Sequence, residues 1–238
     1  MKIESEHGRG PSIFLLSLPR SLSCRLYHSI RRALKFQEPT WTSDGEILNA
    51  DRFVFLPAQQ HDLGRKFTTE ATQPEEFHRM MNFLDEIIQP RGYVYKDVIQ
   101  PFVMAEWLLE NRFPVLKVKR PIADVAYSMM NRDWYYPGSA FPETKHSEIA
   151  LLKGLMAASK SIDSVPGQTI DFDMLIFDEE HVRQALLPFR PRLRPNSVKY
   201  IDPEFEESRN EILARRKTPK YAFIVKMLRR LQKELQTC

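Results

Sequence analysis

Apolar and polar positions along this chain repeat with two periods, and the period switches at regular intervals. The first strong signal is a short apolar run, Ile13-Phe14-Leu15-Leu16-Ser17-Leu18, which stops at Pro19-Arg20-Ser21-Leu22-Ser23. A run of that length, bounded by a turn, fits a strand buried on both faces. From about residue 23 to 36 the spacing becomes helical, with Leu26, Ile30, Ala33 and Leu34 on one face. Another helix opens at Pro74, with Glu75 and Glu76 suiting its positive end. Phe77, Met80, Met81, Leu84, Ile87 and Ile88 form its stripe, and Pro90 ends it. Strands are then expected at 93–96, 114–119 and 168–172, and helices at 99–110, 122–132, 143–162 and 179–187. Residues 37–72 read as irregular, apart from a candidate strand at Phe53-Val54-Phe55-Leu56. Pro188, Pro191, Pro195 and Pro203 mark a stiff connector to two terminal helices, the last opening at Thr218-Pro219.

Strands alternating with helices argue an α/β fold with a central parallel sheet flanked by helices on both faces. At 238 residues the chain suits one large domain, 12–238, with 1–11 as a loose polar arm and 188–238 as the Pro-rich connector and carboxyl-terminal helices. The apolar and charged fractions are those of a globular protein. A formal charge of +4 favours anionic ligands and is too small to argue nucleic-acid binding. Two cysteines, Cys24 and Cys238, make no disulfide framework. The run at 13–18 is too short to span a bilayer, and no small-residue cleavage site follows a longer apolar core. The expectation is a soluble, unexported, cytoplasmic chain without stable membrane insertion, a Golgi anchor outside this sequence being the alternative. The oligomeric state stays open.

Two units carry candidate chemistry. The first is the turn after residue 18, where a strand, a hydroxyl-rich turn with one guanidinium and a helix start make an anion cradle, because helix starts offer unpaired N–H groups and partial positive charge. It lacks the terminal Gly-Lys-Ser/Thr of a nucleoside-triphosphate P-loop. The second reads Pro114-Val115-Leu116-Lys117-Val118-Lys119-Arg120, then Pro121-Ile122-Ala123-Asp124-Val125-Ala126-Tyr127-Ser128. Arg120 falls at the carboxyl end of a strand, where open α/β sheets bind ligands. Taken alone, the first turn is an ordinary strand–turn–helix, Arg120 a cap on a sheet edge and Ser128 a group bonding its own helix.

At these residues the chain resembles the sulfotransferase family, which uses 3′-phosphoadenosine-5′-phosphosulfate (PAPS). Pro19-Arg20-Ser21-Leu22-Ser23-Cys24 is similar to the family's Pro-Arg/Lys-Ser-Gly-Ser/Thr-Thr, and 120–128 to its strand–Arg–Asp–Ser motif. Asp171-Phe172-Asp173-Met174-Leu175 stands where many members have Tyr-Glu-Asp-Leu, so the likeness covers roughly residues 12–187. It implies a P-loop NTPase-like sulfotransferase architecture. It also implies transfer of a sulfuryl group from PAPS to a hydroxyl acceptor, a carbohydrate or small metabolite favoured, with no metal. Arg20, Ser21, Leu22, Ser23 and Cys24 would then grip the 5′-phosphosulfate, and Arg120 and Ser128 the 3′-phosphate at the ligand's far end, giving two separated cationic pockets. Arg20 would also stabilise the bridging oxygen as it leaves. Leu22 replaces the family's Gly, so the loop must avoid positive φ there or accept strain. Cys24 replaces a hydroxyl by a weaker donor.

Lys96-Asp97 ends a predicted strand and resembles the Lys-Asp or Lys-Thr near the acceptor pocket of carbohydrate sulfotransferases, so Lys96 and Asp97 join the candidate catalytic group, Asp97 as base. His61, Glu70 and His78 are rivals. Trp134, Tyr135, Tyr136 and Phe141 form an aromatic loop suited to stacking on an acceptor or the adenine, or to plain packing. The last helix sets Phe223, Ile224, Met227, Leu228, Leu231 and Leu235 against Lys220, Lys226, Arg229, Arg230 and Lys233, a core-facing helix with a wet cationic side. Two competing readings remain: a kinase or other transferase with an atypical phosphate loop, and a non-catalytic nucleotide-binding relative.

Overall fold

The computed structural model describes residues 10–42, 44–49 and 66–236. The arm up to residue 9, the candidate strand at 53–56, His61 and Cys238 lie outside the described residues. Strand β1 (Ile13–Ser17) pairs in parallel with β2 (Val94–Asp97) on one side and β3 (Val115–Lys119) on the other, and β4 (Gln168–Asp171) extends β3. The order is β2-β1-β3-β4. After β2 the chain crosses over β1 to reach β3, so the crossover direction reverses between β1 and β3. Their carboxyl ends flank the crevice that such a reversal opens. Register completes the placement: Ser17 sits opposite Val118, so the segments leaving the two strands emerge side by side.

Every residue of β1 is buried, as a strand covered on both faces requires. Successive side chains point to opposite faces, and the core divides accordingly. Phe14, Leu16, Tyr95 and Val115 join a layer with α2 (Pro74–Ile87), α3 (Pro101–Asn111), α4 (Ile122–Met130), α5 (Ser147–Ser164) and α9 (Pro219–Gln236). Ile13, Leu15, Val94, Leu116 and Val118 join the other with α1 (Ser23–Leu34), the one-turn helix α6 (Phe172–Leu175), α7 (Glu179–Leu186) and α8 (Pro203–Arg215). The cationic last helix turns Ile224, Leu228 and Leu231 inward and leaves Phe223 and Leu235 exposed. No helix among the described residues is long and apolar enough to cross a membrane.

Local chemistry explains where the elements depart from their expected bounds. β4 stops at Asp171 because its carboxylate accepts from the N–H groups of Asp173 (2.8 Å) and Met174 (3.1 Å), which starts α6 where strand was expected. α4 ends two residues early because Arg132 and Trp134 both return their N–H groups to the Met129 carbonyl. α5 begins at Ser147 because the 3₁₀ turn Tyr136–Ala140 and a following turn, with Thr144 N–H on Phe141 O at 3.1 Å, occupy the preceding segment.

The 3₁₀ turn is seated on α5 through Gly154, whose missing Cβ would lie 2.0 Å from the Pro137 carbonyl oxygen. Alanine in a helix ordinarily gains about 1 kcal/mol over glycine. Here the forced displacement of backbone costs about 1–3 kcal/mol and outweighs that gain. Gly154→Ala is therefore expected to lower the urea midpoint of unfolding, and a raised midpoint would contradict the seating.

Candidate functional site

The crevice at the carboxyl ends of β1 and β3 holds both candidate motifs. The loop leaving β1 turns by placing Arg20 (φ 63°) and Leu22 (φ 58°, ψ 21°) in the left-handed region. Leu22 thus accepts strain that a glycine would avoid, at a cost of about 1–2 kcal/mol per residue. Left-handed residues within such a turn gather successive N–H groups into an anion-binding concavity. No side chain caps α1, and its first bond runs from Leu26 N–H to the Leu22 carbonyl at 3.2 Å. The amides before it are the orphan donors of the helix start. Ser21 is fully buried beside them, and its hydroxyl has no partner.

From β3, Arg120 comes straight into this loop. It is 6% exposed, and its Nη1 donates to the Arg20 carbonyl. Its guanidinium lies over the Phe172 ring at 4.3 Å, and its Nε is 4.0 Å from Asp124. Arg20 reaches back, its Nε donating to Ser128 Oγ at 3.3 Å, while its guanidinium lies 5.6 Å from the Trp134 ring centre. The side chains of the two motifs therefore form one continuous cluster. Burial pushes the Arg120 guanidinium down to about 10, against the pull of Asp124 and helped by Arg20, Arg216 and Arg215. Burial, Arg132 and Arg215 lower Arg20 in the same way. Arg216, just past α8, clamps Asp124 through Nε at 3.0 and 3.1 Å and also pairs with Asp173. The guanidinium groups gathered here raise the local positive potential.

A cavity of about 300 Å³ opens against the loop, lined by residues 19–25 together with Glu46, Asn49, Val98, Ile99, Trp134 and Tyr136. Trp134 and Tyr136 thus face it, whereas Tyr135 and Phe141 are not among its walls. Glu46 arrives there because residues 45–47 extend the sheet beyond β2: Lys96 N–H donates to the Gly45 carbonyl (2.7 Å) and Ile47 N–H to the Lys96 carbonyl (3.0 Å). Gly45 permits this path with φ 67° and with its Cα tight against Tyr27, where a Cβ would meet the ring at 2.2 Å.

Lys96 and Asp97 sit behind that wall. The Lys96 side chain is fully buried, and its Nζ bonds Glu46 Oε1 and Cys24 Sγ, both at 3.0 Å. Asn49 Nδ2 holds the other Glu46 oxygen at 2.6 Å. Asp97 is 2% exposed, and its oxygens accept from the N–H groups of Leu48 (3.2 Å), Ile99 (2.9 Å) and Gln100 (2.6 Å). The structure thus makes Asp97 the anchor of residue 48 and of the turn into α3, not a base facing an acceptor. Among its rivals, Glu70 and His78 pair with each other at 3.6 Å on an exposed edge away from the cavity. Glu46, which faces the cavity, went unnoticed in the sequence because it lies in an irregular stretch; its only signal is the turn dipeptide Asp44-Gly45. No group of three or more His, Cys, Asp or Glu side chains among the described residues is placed to hold a metal ion.

No protein-family model and no curated protein matches the chain. Among solved structures it is similar to the sulfotransferase domain from the curacin biosynthetic pathway, at 14% identity and a TM-score of 0.47, over 81% of this chain and 75% of that one. It is also similar to mouse sulfotransferase SULT7A1 complexed with PAP, at 14% identity and a TM-score of 0.34, over 90% and 88% of the two chains.

Burial dominates at Asp97 and pushes its carboxyl from 3.8 up to about 7, despite the three amides that favour its charged form. Between those values the folded chain holds a proton that the unfolded chain has released, so stability falls as pH rises. Urea unfolding at pH 5 and pH 7.5 should show a smaller loss of stability in Asp97→Asn than in the parent. Parallel profiles would contradict the assignment.

Proposed function

We propose that this chain is a PAPS-dependent sulfotransferase acting on a hydroxyl acceptor, with a carbohydrate or small metabolite favoured. One observation carries the reading. Arg20 and Ser128, 108 residues apart and one from each motif, are hydrogen-bonded at 3.3 Å, with Arg120 locked to the same loop. Register brings the two segments side by side, and each supplies a guanidinium or hydroxyl of the kind that binds anions, at the switch point where open α/β sheets take ligands. The groups present also fit the donor. The α1 amides, the unpartnered Ser21 hydroxyl and Arg20 suit the 5′-phosphosulfate. Ser128 and the Arg120–Arg215–Arg216 field suit the 3′-phosphate. Arg120 acts mainly by holding the loop and by its field, since its Nη1 already serves the Arg20 carbonyl.

PAPS would supply an activated sulfuryl group, and the rest is positioning and charge neutralisation by this chain. In this reading Arg20 offsets charge that collects on the departing phosphate. Glu46 is placed to accept the acceptor's hydroxyl proton, its carboxylate fixed by Lys96 and Asn49 at the cavity wall. Val98, Ile99, Trp134 and Tyr136 give the acceptor an apolar and aromatic bed. Leu22 in its left-handed conformation and the thiol at Cys24 favour, as a second reading, a relative that binds the nucleotide without turnover.

Thermal unfolding with adenosine 3′,5′-bisphosphate tests the donor site, since ligand at a hundred times its dissociation constant adds about 2.7 kcal/mol. The bisphosphate should raise Tm more than ATP with magnesium does; the reverse order would favour the kinase reading. Arg20→Ala should weaken the bisphosphate about ten- to a hundred-fold, the worth of one charged hydrogen bond. With an acceptor in hand, Glu46→Gln should slow sulfate transfer by about 10²–10⁴-fold at unchanged bisphosphate affinity. Tight bisphosphate binding with no transfer across a broad acceptor panel would establish the second reading instead.

A further inference from the structure

Cys24 occupies an unusual place for a thiol. It is half-buried, lines the cavity, and is the second residue of α1, where no side chain satisfies the helix start. Lys96 Nζ lies 3.0 Å from its sulfur, and because the Lys96 side chain is fully buried, that cation has no route to solvent. Reactive cysteines sit in electropositive, partly accessible surroundings of this kind, whereas packing cysteines are sealed in apolar cores. A separate observation on the same cavity wall points to a small polar ligand. Ser21, on the same cavity wall three residues earlier, is fully buried with a hydroxyl that bonds to nothing. Such a hydroxyl stands ready for an oxygen entering the cavity.

We propose that Cys24 is a reversible oxidation site, in which a small peroxide converts its thiol to a sulfenic acid. The sulfur lone pair attacks one peroxide oxygen, the S–O bond forms as the O–O bond breaks, and the other oxygen leaves as hydroxide. The thiol's own proton passes to that hydroxide and makes water, so sulfur loses two electrons and the peroxide gains them. A thiol reductant reverses the step, giving water and a mixed disulfide that a second thiol resolves. Glu46 shares the same Lys96 ammonium, so the pairing of Lys96 sets how strongly the cation acts on the sulfur. The oxidised sulfur carries its oxygen into the cradle of α1, so oxidation excludes the nucleotide; this consequence rests on the donor-site reading above.

The experiment uses the full chain carrying Cys238→Ser, which leaves Cys24 as its one thiol. Hydrogen peroxide is added with a 1,3-cyclohexanedione trap, and adduct formation is followed by intact mass. The folded chain should label at least ~10-fold faster than the same chain in urea, as expected for a thiol in electropositive surroundings. Lys96→Met should bring the rate down towards the unfolded value. Glu46→Gln should raise it, because Lys96 then serves the sulfur alone. Folding of each variant is checked by circular dichroism, and if Lys96→Met does not fold, the Glu46→Gln rate decides. Labelling no faster than in urea, or a Glu46→Gln rate at or below the parent's, overturns the proposal. Adenosine 3′,5′-bisphosphate should slow labelling; fast labelling that ignores it overturns the donor-loop reading and leaves the oxidation site standing.

Discussion

A guanidinium removed from water is the constraint around which the site is organised. Burying a charge costs several kcal/mol unless partners surround it. Arg120 meets that demand with the Arg20 carbonyl, the Phe172 ring and the nearby Asp124. Each partner draws in another part of the chain. The carbonyl fixes the loop after β1, the ring fixes the start of α6, and Asp124 recruits Arg216 and so ties the end of α8 to α4. The left-handed strain at Arg20 and Leu22 is held by this same network.

The opposite wall is arranged around a buried ammonium. Lys96 reaches Glu46 on one side and Cys24 on the other, so one cation joins the sheet edge to the first turn of α1. Asp97, its neighbour on β2, holds the backbone of residue 48 and the turn into α3. Adjacent residues of a strand point to opposite faces, which is why Lys96 and Asp97 serve different structures even though they look like one motif. Between the two charged walls, Trp134 and Tyr136 give the cavity its apolar side. The seating of Gly154 on Pro137 holds the turn that carries Tyr136.

How far the site could be read in advance follows from the range of the forces that build it. The strand–turn–helix around Arg20 and the strand end at Arg120 are local patterns, and both stand where their apolar periods put them. A carboxylate at a strand end has the same local pattern whether it meets solvent or, as at Asp97, three backbone amides. Glu46 escaped notice because nothing in the irregular stretch around it says that residues 45–47 will pair with β2. Arg216 escaped for a similar reason, since its partners Asp124 and Asp173 lie 92 and 43 residues away.

By itself, the order of residues determined the alternation of strand and helix, the burial of β1 on both faces, and the kinds of group at the two turns. Those follow from side-chain period and backbone preference, which act over a few residues. Only the tertiary structure decided that the two arginine motifs form one cluster, that Asp97 is an anchor, and that Lys96, Glu46 and Cys24 share a wall. Those outcomes depend on strand order and register, set by hydrogen bonds and buried charges between segments far apart in the chain. No local period encodes them.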